Sequence, residues 1–133
     1  MKFVLDATFS PQLATALEAL SQDDAHFEYA PTLFGSAASD EVIYQGVRDR
    51  DACLITLDIA MTRKPQQRAA MQEAGIGVFV FTGRTLAQRS FREIAAAVLA
   101  ITDEIVARAG STRRPFVWGI SDRKKFERLD ERT

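Results

Sequence analysis

Three segments of this chain are apolar almost without a break: Phe3-Val4-Leu5, Ala52 to Leu57 (ACLITL) and Ile76 to Phe81 (IGVFVF). Each is too short for a buried helix, and none alternates with charged residues. A strand of that kind has both faces covered, which is the position of a central strand in a parallel sheet. Parallel neighbours need crossover connections, and the sequence between the runs supplies them. Ser10-Pro11 is a helix start, with serine as cap and proline at the first helical position. Leu13, Ala14, Ala16, Leu17 and Leu20 then recur at helical spacing. Ser39-Asp40-Glu41 opens a second helix with acids in its first turn and Val42, Ile43 and Val47 as its buried side. Pro65 to Ala74 is a third helix, stopped by Gly75. His26 to Ala30 alternates and reads as a further strand, followed by a loop holding Pro31 and Gly35. Strands alternating with helices in this way predict an α/β fold: a three-layer α/β/α sandwich around a central, mainly parallel sheet of about four strands.

Beyond Phe81 the pattern turns helical. One or two helices are expected from Thr85 to about Ala109, with the Ala-rich segment 91–107 facing the core. A short apolar piece runs from Pro115 to Ile120, and a charged last turn or helix starts at Asp122. The expected organisation is an α/β domain over residues 1–110 and a basic extension over 111–133, packed on that domain or trailing from it. Residues 1–107 hold 9 Lys/Arg against 14 Asp/Glu, a net of −5, whereas 108–133 hold 8 against 4, a net of +4. A basic tail on an acidic body suits an anionic partner, and equally a solvated tail.

Composition sets the limits. With 133 residues, 47% hydrophobic and 26% charged, the chain can fill the core of one domain. No apolar run reaches the ~18 residues of a membrane span. Asp6 interrupts the N-terminus too early for a signal-peptide core. A cytoplasmic protein with no membrane partner is the default expectation. One cysteine, Cys53, excludes an internal disulfide, and one histidine, His26, leaves no Cys/His zinc set. A divalent ion would need oxygen ligands, which the 18 acidic residues can provide.

In open parallel sheets, ligands bind at the carboxyl ends of the strands, near the point where strand order reverses. Asp6 and Asp58 each follow an apolar strand directly, and Asp40 opens a helix on the same edge. Three carboxylates converging there would repel one another unless a cation neutralised them. Carboxylate-only ligation selects hard ions such as Mg²⁺ or Mn²⁺. Each acid also has a plain structural use: Asp6 and Asp58 as turn caps, Asp40 and Glu41 as first-turn charges behind Ser39. Two strands that both end in an acid on one edge favour a site for that pair. Arg63 and Lys64 follow Asp58 by five and six residues, as phosphate contacts or as a solvated loop. Cys53 reads as core, His26 as structural, and Trp118 as the aromatic that packs the tail onto the domain.

The segments Leu5 to Leu17 (LDATFSPQLATAL), Leu33 to Val47 (LFGSAASDEVIYQGV) and Leu54 to Pro65 (LITLDIAMTRKP) resemble the PIN-like ribonucleases. Within that family they are similar to the small bacterial proteins often encoded as toxins of toxin–antitoxin pairs. The family pattern is an Asp after the first strand, an acidic pair opening a later helix, and Thr-x-Asp closing the third strand. Here these are Asp6, Asp40-Glu41 and Thr56-x-Asp58, within about residues 1–82. The resemblance implies metal-dependent hydrolysis of RNA phosphodiester bonds. Asp6, Asp40 and Asp58 would be the catalytic ligands of Mg²⁺ or Mn²⁺, with Glu41 in the outer shell. Thr56 would orient a carboxylate or a water, and Arg63 and Lys64 would anchor flanking phosphates. The partners implied are an RNA substrate, a cognate antitoxin and a second copy of the chain in a homodimer. The chain departs from the pattern in two places. Many relatives have Asp-Glu-Asn after the first strand, where this chain has Asp6-Ala7-Thr8. Relatives often carry another acid two residues past Thr-x-Asp, where this chain has Ala60. A thinner acid set also suits a PIN-like module that binds RNA or a protein without cleaving it. A phosphoacceptor receiver domain is a further alternative, but it needs an acidic pair after the first strand, where Asp6 stands alone.

Overall fold

The computed structural model describes residues 1–21, 23–83 and 86–130. The apolar runs become β1 (Lys2–Leu5), β3 (Ala52–Thr56) and β4 (Gly77–Phe81), and the alternating segment becomes β2 (His26–Tyr29). Helix α1 (Pro11–Leu20) links β1 to β2. Helices α2 (Ala30–Phe34) and α3 (Asp40–Asp49) link β2 to β3, and α4 (Ile59–Arg63) and α5 (Pro65–Ala74) link β3 to β4. A 3₁₀ turn (Leu86–Gln88) and the long α6 (Phe91–Ser111) lead to β5 (Phe116–Ile120) and β6 (Phe126–Arg128).

Side chains alternate across each strand, so every central strand feeds two cores. Phe3, Leu5, Ile55, Phe79 and Phe116 face one side, against Leu13 and Leu17 of α1 and Val98, Ile101 and Ile105 of α6. Val4, Leu54, Val78, Val80 and Val117 face the other, against Tyr44 and Val47 of α3, Met61 of α4 and Met71 of α5. The result is the expected three-layer sandwich.

The sheet order is β2-β1-β3-β4-β5-β6, with the first five strands parallel and β6 antiparallel. Connection α1 carries the chain outward from β1 to β2, and the next connection brings it back past β1 to β3. Strand order therefore reverses between β1 and β3, at the strand ends that carry Asp6 and Asp58.

Several expectations need correction. The sheet has six strands rather than four. The piece from Pro115 to Ile120 is β5, because Phe116 and Ile120 complete one core and Val117 the other. The segment from Asp122 is a hairpin turn and β6, not a helix. Phe126 and Leu129 fall on opposite faces and join the two cores, a spacing that a strand satisfies. The loop holding Pro31 contains α2, with the proline at its start and Gly35 at φ 92° as its stop. Helix α6 begins at Phe91 because Ser90 and Glu93 form a reciprocal capping box; Thr85, the expected start, lies outside the described residues. Val42 is 50% exposed, since the phase of α3 turns Tyr44 inward beside the expected Ile43 and Val47. No described helix is long and apolar enough to cross a membrane.

Candidate active site

The parity of the strands decides which residues meet at the reversal. Val4 and Leu54 face the α3 side, so Asp6, Thr56 and Asp58, each an even step further, face it too. The β1–β3 register pairs Leu5 with Ile55, and the Asp6 N–H donates to the Ile55 carbonyl at 3.2 Å. Asp6 and Thr56 are thereby side by side.

Two threonines hold the Asp6 carboxylate. Oδ1 accepts from the Thr8 N–H at 3.0 Å and from the Thr8 hydroxyl. Oδ2 accepts from the Thr56 hydroxyl. Each hydroxyl in turn accepts a backbone N–H from the end of β3: Leu57 to Thr8 Oγ1 at 3.0 Å, and Asp58 to Thr56 Oγ1 at 2.9 Å. A pair of relays thus runs from the consecutive amides just past β3, through two hydroxyls, to the two oxygens of one carboxylate. Asp6 is 8% exposed. Burial raises its pKa, the threonine hydrogen bonds oppose that rise, and the nearby Asp58 charge adds to it.

Asp58 is exposed. Its Oδ1 accepts the Met61 N–H at 3.1 Å and caps α4, so the turn-cap use is real. Its Oδ2 has no hydrogen bond among the described residues. Asp40 is exposed in the first turn of α3, where Ser39 provides the cap through Val42 N–H at 3.2 Å. Asp40 is free of that duty. Glu41 lines an open groove between α2 and α3 with Leu33, Phe34 and Val42, away from the Asp6–Thr56 relay. Arg63 ends α4, Lys64 joins it to α5, and both are exposed. Trp118 packs the tail, donating from Nε1 to Thr112 Oγ1 at 3.1 Å. Cys53 is fully buried in β3, and His26 bonds Glu18 at 3.0 Å on the surface.

Sequence reading missed Tyr44. This side chain is 1% exposed and donates to Gln67 Oε1 at 2.7 Å. Burial pushes the phenol pKa well up, and the charges of Asp40, Asp58 and Asp6 push it further. All three acids therefore bear on one buried, protonated hydroxyl. The signal was the spacing, since Tyr44 stands one helical turn after Asp40.

Among the described residues, no three His, Cys, Asp or Glu side chains approach closely enough to form a metal cluster. The expected convergence of Asp6, Asp40 and Asp58 is thus looser than the sequence suggested, although Asp40 does open α3 as expected. The donor set still fits a hard divalent ion, which takes one or two carboxylates and keeps several waters. Asp6 and Asp58 supply that pair.

A strand-order reversal flanked by two acids, under helices on both faces, is the architecture of an open α/β sheet with a candidate site at its carboxyl edge. A family model for the PIN-like domain matches residues 1–83, from β1 through the end of β4, and the chain belongs to that family. No curated protein and no solved structure matches it. PIN-like domains are generally nucleases.

Proposed function

We propose that this chain is a metal-dependent endoribonuclease that hydrolyses RNA phosphodiester bonds, and that it is the toxin of a toxin–antitoxin pair. The observation that carries the reading is the Asp6–Asp58 pair at the strand-order reversal, joined through Thr56. Asp6 and Asp58 would hold Mg²⁺ or Mn²⁺, with Asp40 within electrostatic reach and Glu41 further out. The bound ion supplies a lowered water pKa and a counter-charge for the attacked phosphate. Thr8 and Thr56 fix both oxygens of Asp6, so its orientation is set before any ligand arrives. Tyr44 stays protonated, with its proton held by Gln67 and its neutral ring in the field of the three acids. Arg63 and Lys64 are placed to hold flanking phosphates, and the open edge suits single-stranded or loop RNA. An antitoxin segment covering this edge, a homodimer and a cytoplasmic location belong to the same proposal.

The second reading is a module that binds without cutting. Ala7 and Ala60, together with the full engagement of both Asp6 oxygens, favour it. Cleavage of a tRNA and mRNA panel in Mg²⁺, Mn²⁺ or EDTA decides between them. Asp6→Asn and Asp58→Asn, each confirmed as folded by circular dichroism, should each lower the metal-dependent rate about 10³-fold, the several kcal/mol of a lost metal ligand. Folded wild-type protein that neither cuts nor binds metal by calorimetry would sink the nuclease and leave the binding module.

A further inference from the structure

Strand β5 is parallel to β1 and β3, so the turn after it emerges on the same edge of the sheet as Asp6 and Asp58. That turn is basic: Arg123, Lys124 and Lys125, all exposed. It is also rigidly built. The Ser121 N–H donates to the Lys125 carbonyl and the Lys124 N–H to the Ser121 carbonyl, both at 2.9 Å. Ser121 Oγ accepts from Arg123 N–H at 3.2 Å and Lys125 N–H at 3.1 Å. Lys124 sits at φ 62°, a left-handed conformation in which glycine or asparagine would be less strained. A lysine there is unfavourable for the fold alone and keeps a cation at the tip of the turn. The acid of the turn, Asp122, folds over Gly83 at the end of β4, so closely that a Cβ on that glycine would lie 1.7 Å from Oδ1.

Many other cations of this chain are neutralised. Arg50, Arg89, Arg108, Arg114 and Arg128 all stand in ion pairs. Arg123, Lys124 and Lys125 form no ion pair among the described residues. Strand β5 is two places from β3 in the sheet, which puts the turn roughly 10 Å along the edge from the Asp58 strand. Arg63 and Lys64 follow β3 itself.

We infer that the Ser121–Lys125 turn is a second phosphate-binding platform, which holds the sugar-phosphate backbone of an RNA strand as it leaves the acidic edge. The inference rests on the nuclease reading for its substrate, yet the test separates the two. A fluorescein-labelled single-stranded oligoribonucleotide of about 12 nucleotides is titrated by anisotropy in EDTA over a salt series. The variant R123Q/K124Q/K125Q removes the platform. The control K2Q/R48Q/R113Q removes the same charge from exposed positions at the opposite ends of β1, α3 and β5. The platform variant should bind at least tenfold more weakly, with its salt slope reduced by about 2, the value for three single-strand phosphate contacts. The control should stay within about twofold of wild type. Equal losses in both variants, or no binding by wild type, overturn the platform. Cleavage of the RNA panel in Mg²⁺ and metal binding by calorimetry are scored separately: platform-dependent binding with neither supports the platform and removes the nuclease.

Discussion

The first four strands are held to the sheet by apolar burial, and the last two by apolar burial with a polar set added to it. From β1 to β4 the contacts are apolar on both faces, with Phe79 at the centre. Its ring centroid lies 6.4 Å from that of Phe3 and 5.4 Å from that of Phe116. The outer hairpin shares that packing through Phe116, Val117, Ile120 and Phe126, and adds polar and cationic ties to it. Asp130 accepts from Val117 N–H at 2.9 Å and from Arg128 Nε and Nη2 at 2.8 and 2.7 Å. Arg68 Nη2 donates to the Leu129 carbonyl at 2.6 Å. The Arg108 guanidinium lies 4.4 Å from the Trp118 centroid and 4.5 Å from that of Phe126. Apolar burial is indifferent to pH and little screened by salt, whereas charge-assisted hydrogen bonds are not. One sheet thus has an inner part insensitive to solution conditions and an outer part in which an added set of contacts responds to them.

Three substitutions probe that difference, from the strongest effect down. Phe79→Ala empties the shared centre and should destabilise the whole molecule by about 3–5 kcal/mol. Urea unfolding should stay a single transition; a hairpin that melts separately would show the two parts to be uncoupled. Gly77→Ala acts at the joint, where β4 meets β5. A Cβ there would lie 2.2 Å from Phe116 Cζ, and both residues are buried, so the ring must shift at a cost of about 1–3 kcal/mol. An unchanged Tm would mean that the joint is looser than its packing. Asp130→Ala tests the polar part and should cost about 1–2 kcal/mol at neutral pH. Burial disfavours the Asp130 charge, but hydrogen bonds from Arg128 and Val117 outweigh it and hold the carboxyl below its usual range. Its contribution is therefore full above the ordinary aspartate value of about 3.9 and is lost as pH falls through the lowered folded value. The gap in Tm between wild type and variant should close as the solution is acidified, and a constant gap would assign the effect to packing.

How much of this was legible depended on how local each signal was. Lys2–Leu5 and Pro65–Ala74 agree with the pattern residue for residue, since apolar runs and Pro/Gly punctuation need no partner. Asp6 and Asp58 were legible as strand-end acids for the same reason. The Thr8 relay was not, because Thr8 meets the Leu57 amide only when β1 and β3 are neighbours. Tyr44 depended on the phase of α3, which Val42 misrepresented. Strand β6 was hidden because Phe126–Arg128 carries too few apolar residues to announce itself, and its place comes from pairing with β5.

The buried β4 has a consequence for the chain's company in solution. In a fragment ending at Gly83, where the family match stops, Gly77–Phe81 would form the sheet's rim. Its unpaired backbone groups and apolar side chains are the composition that recruits other strands into aggregates. Strand β5 covers that rim, and β6 ends the sheet with three residues preceded by three cations, an edge too short and too charged to extend. The hairpin that carries the phosphate platform therefore also works as a stopper for this rim, leaving the short β2 as the sheet's other edge.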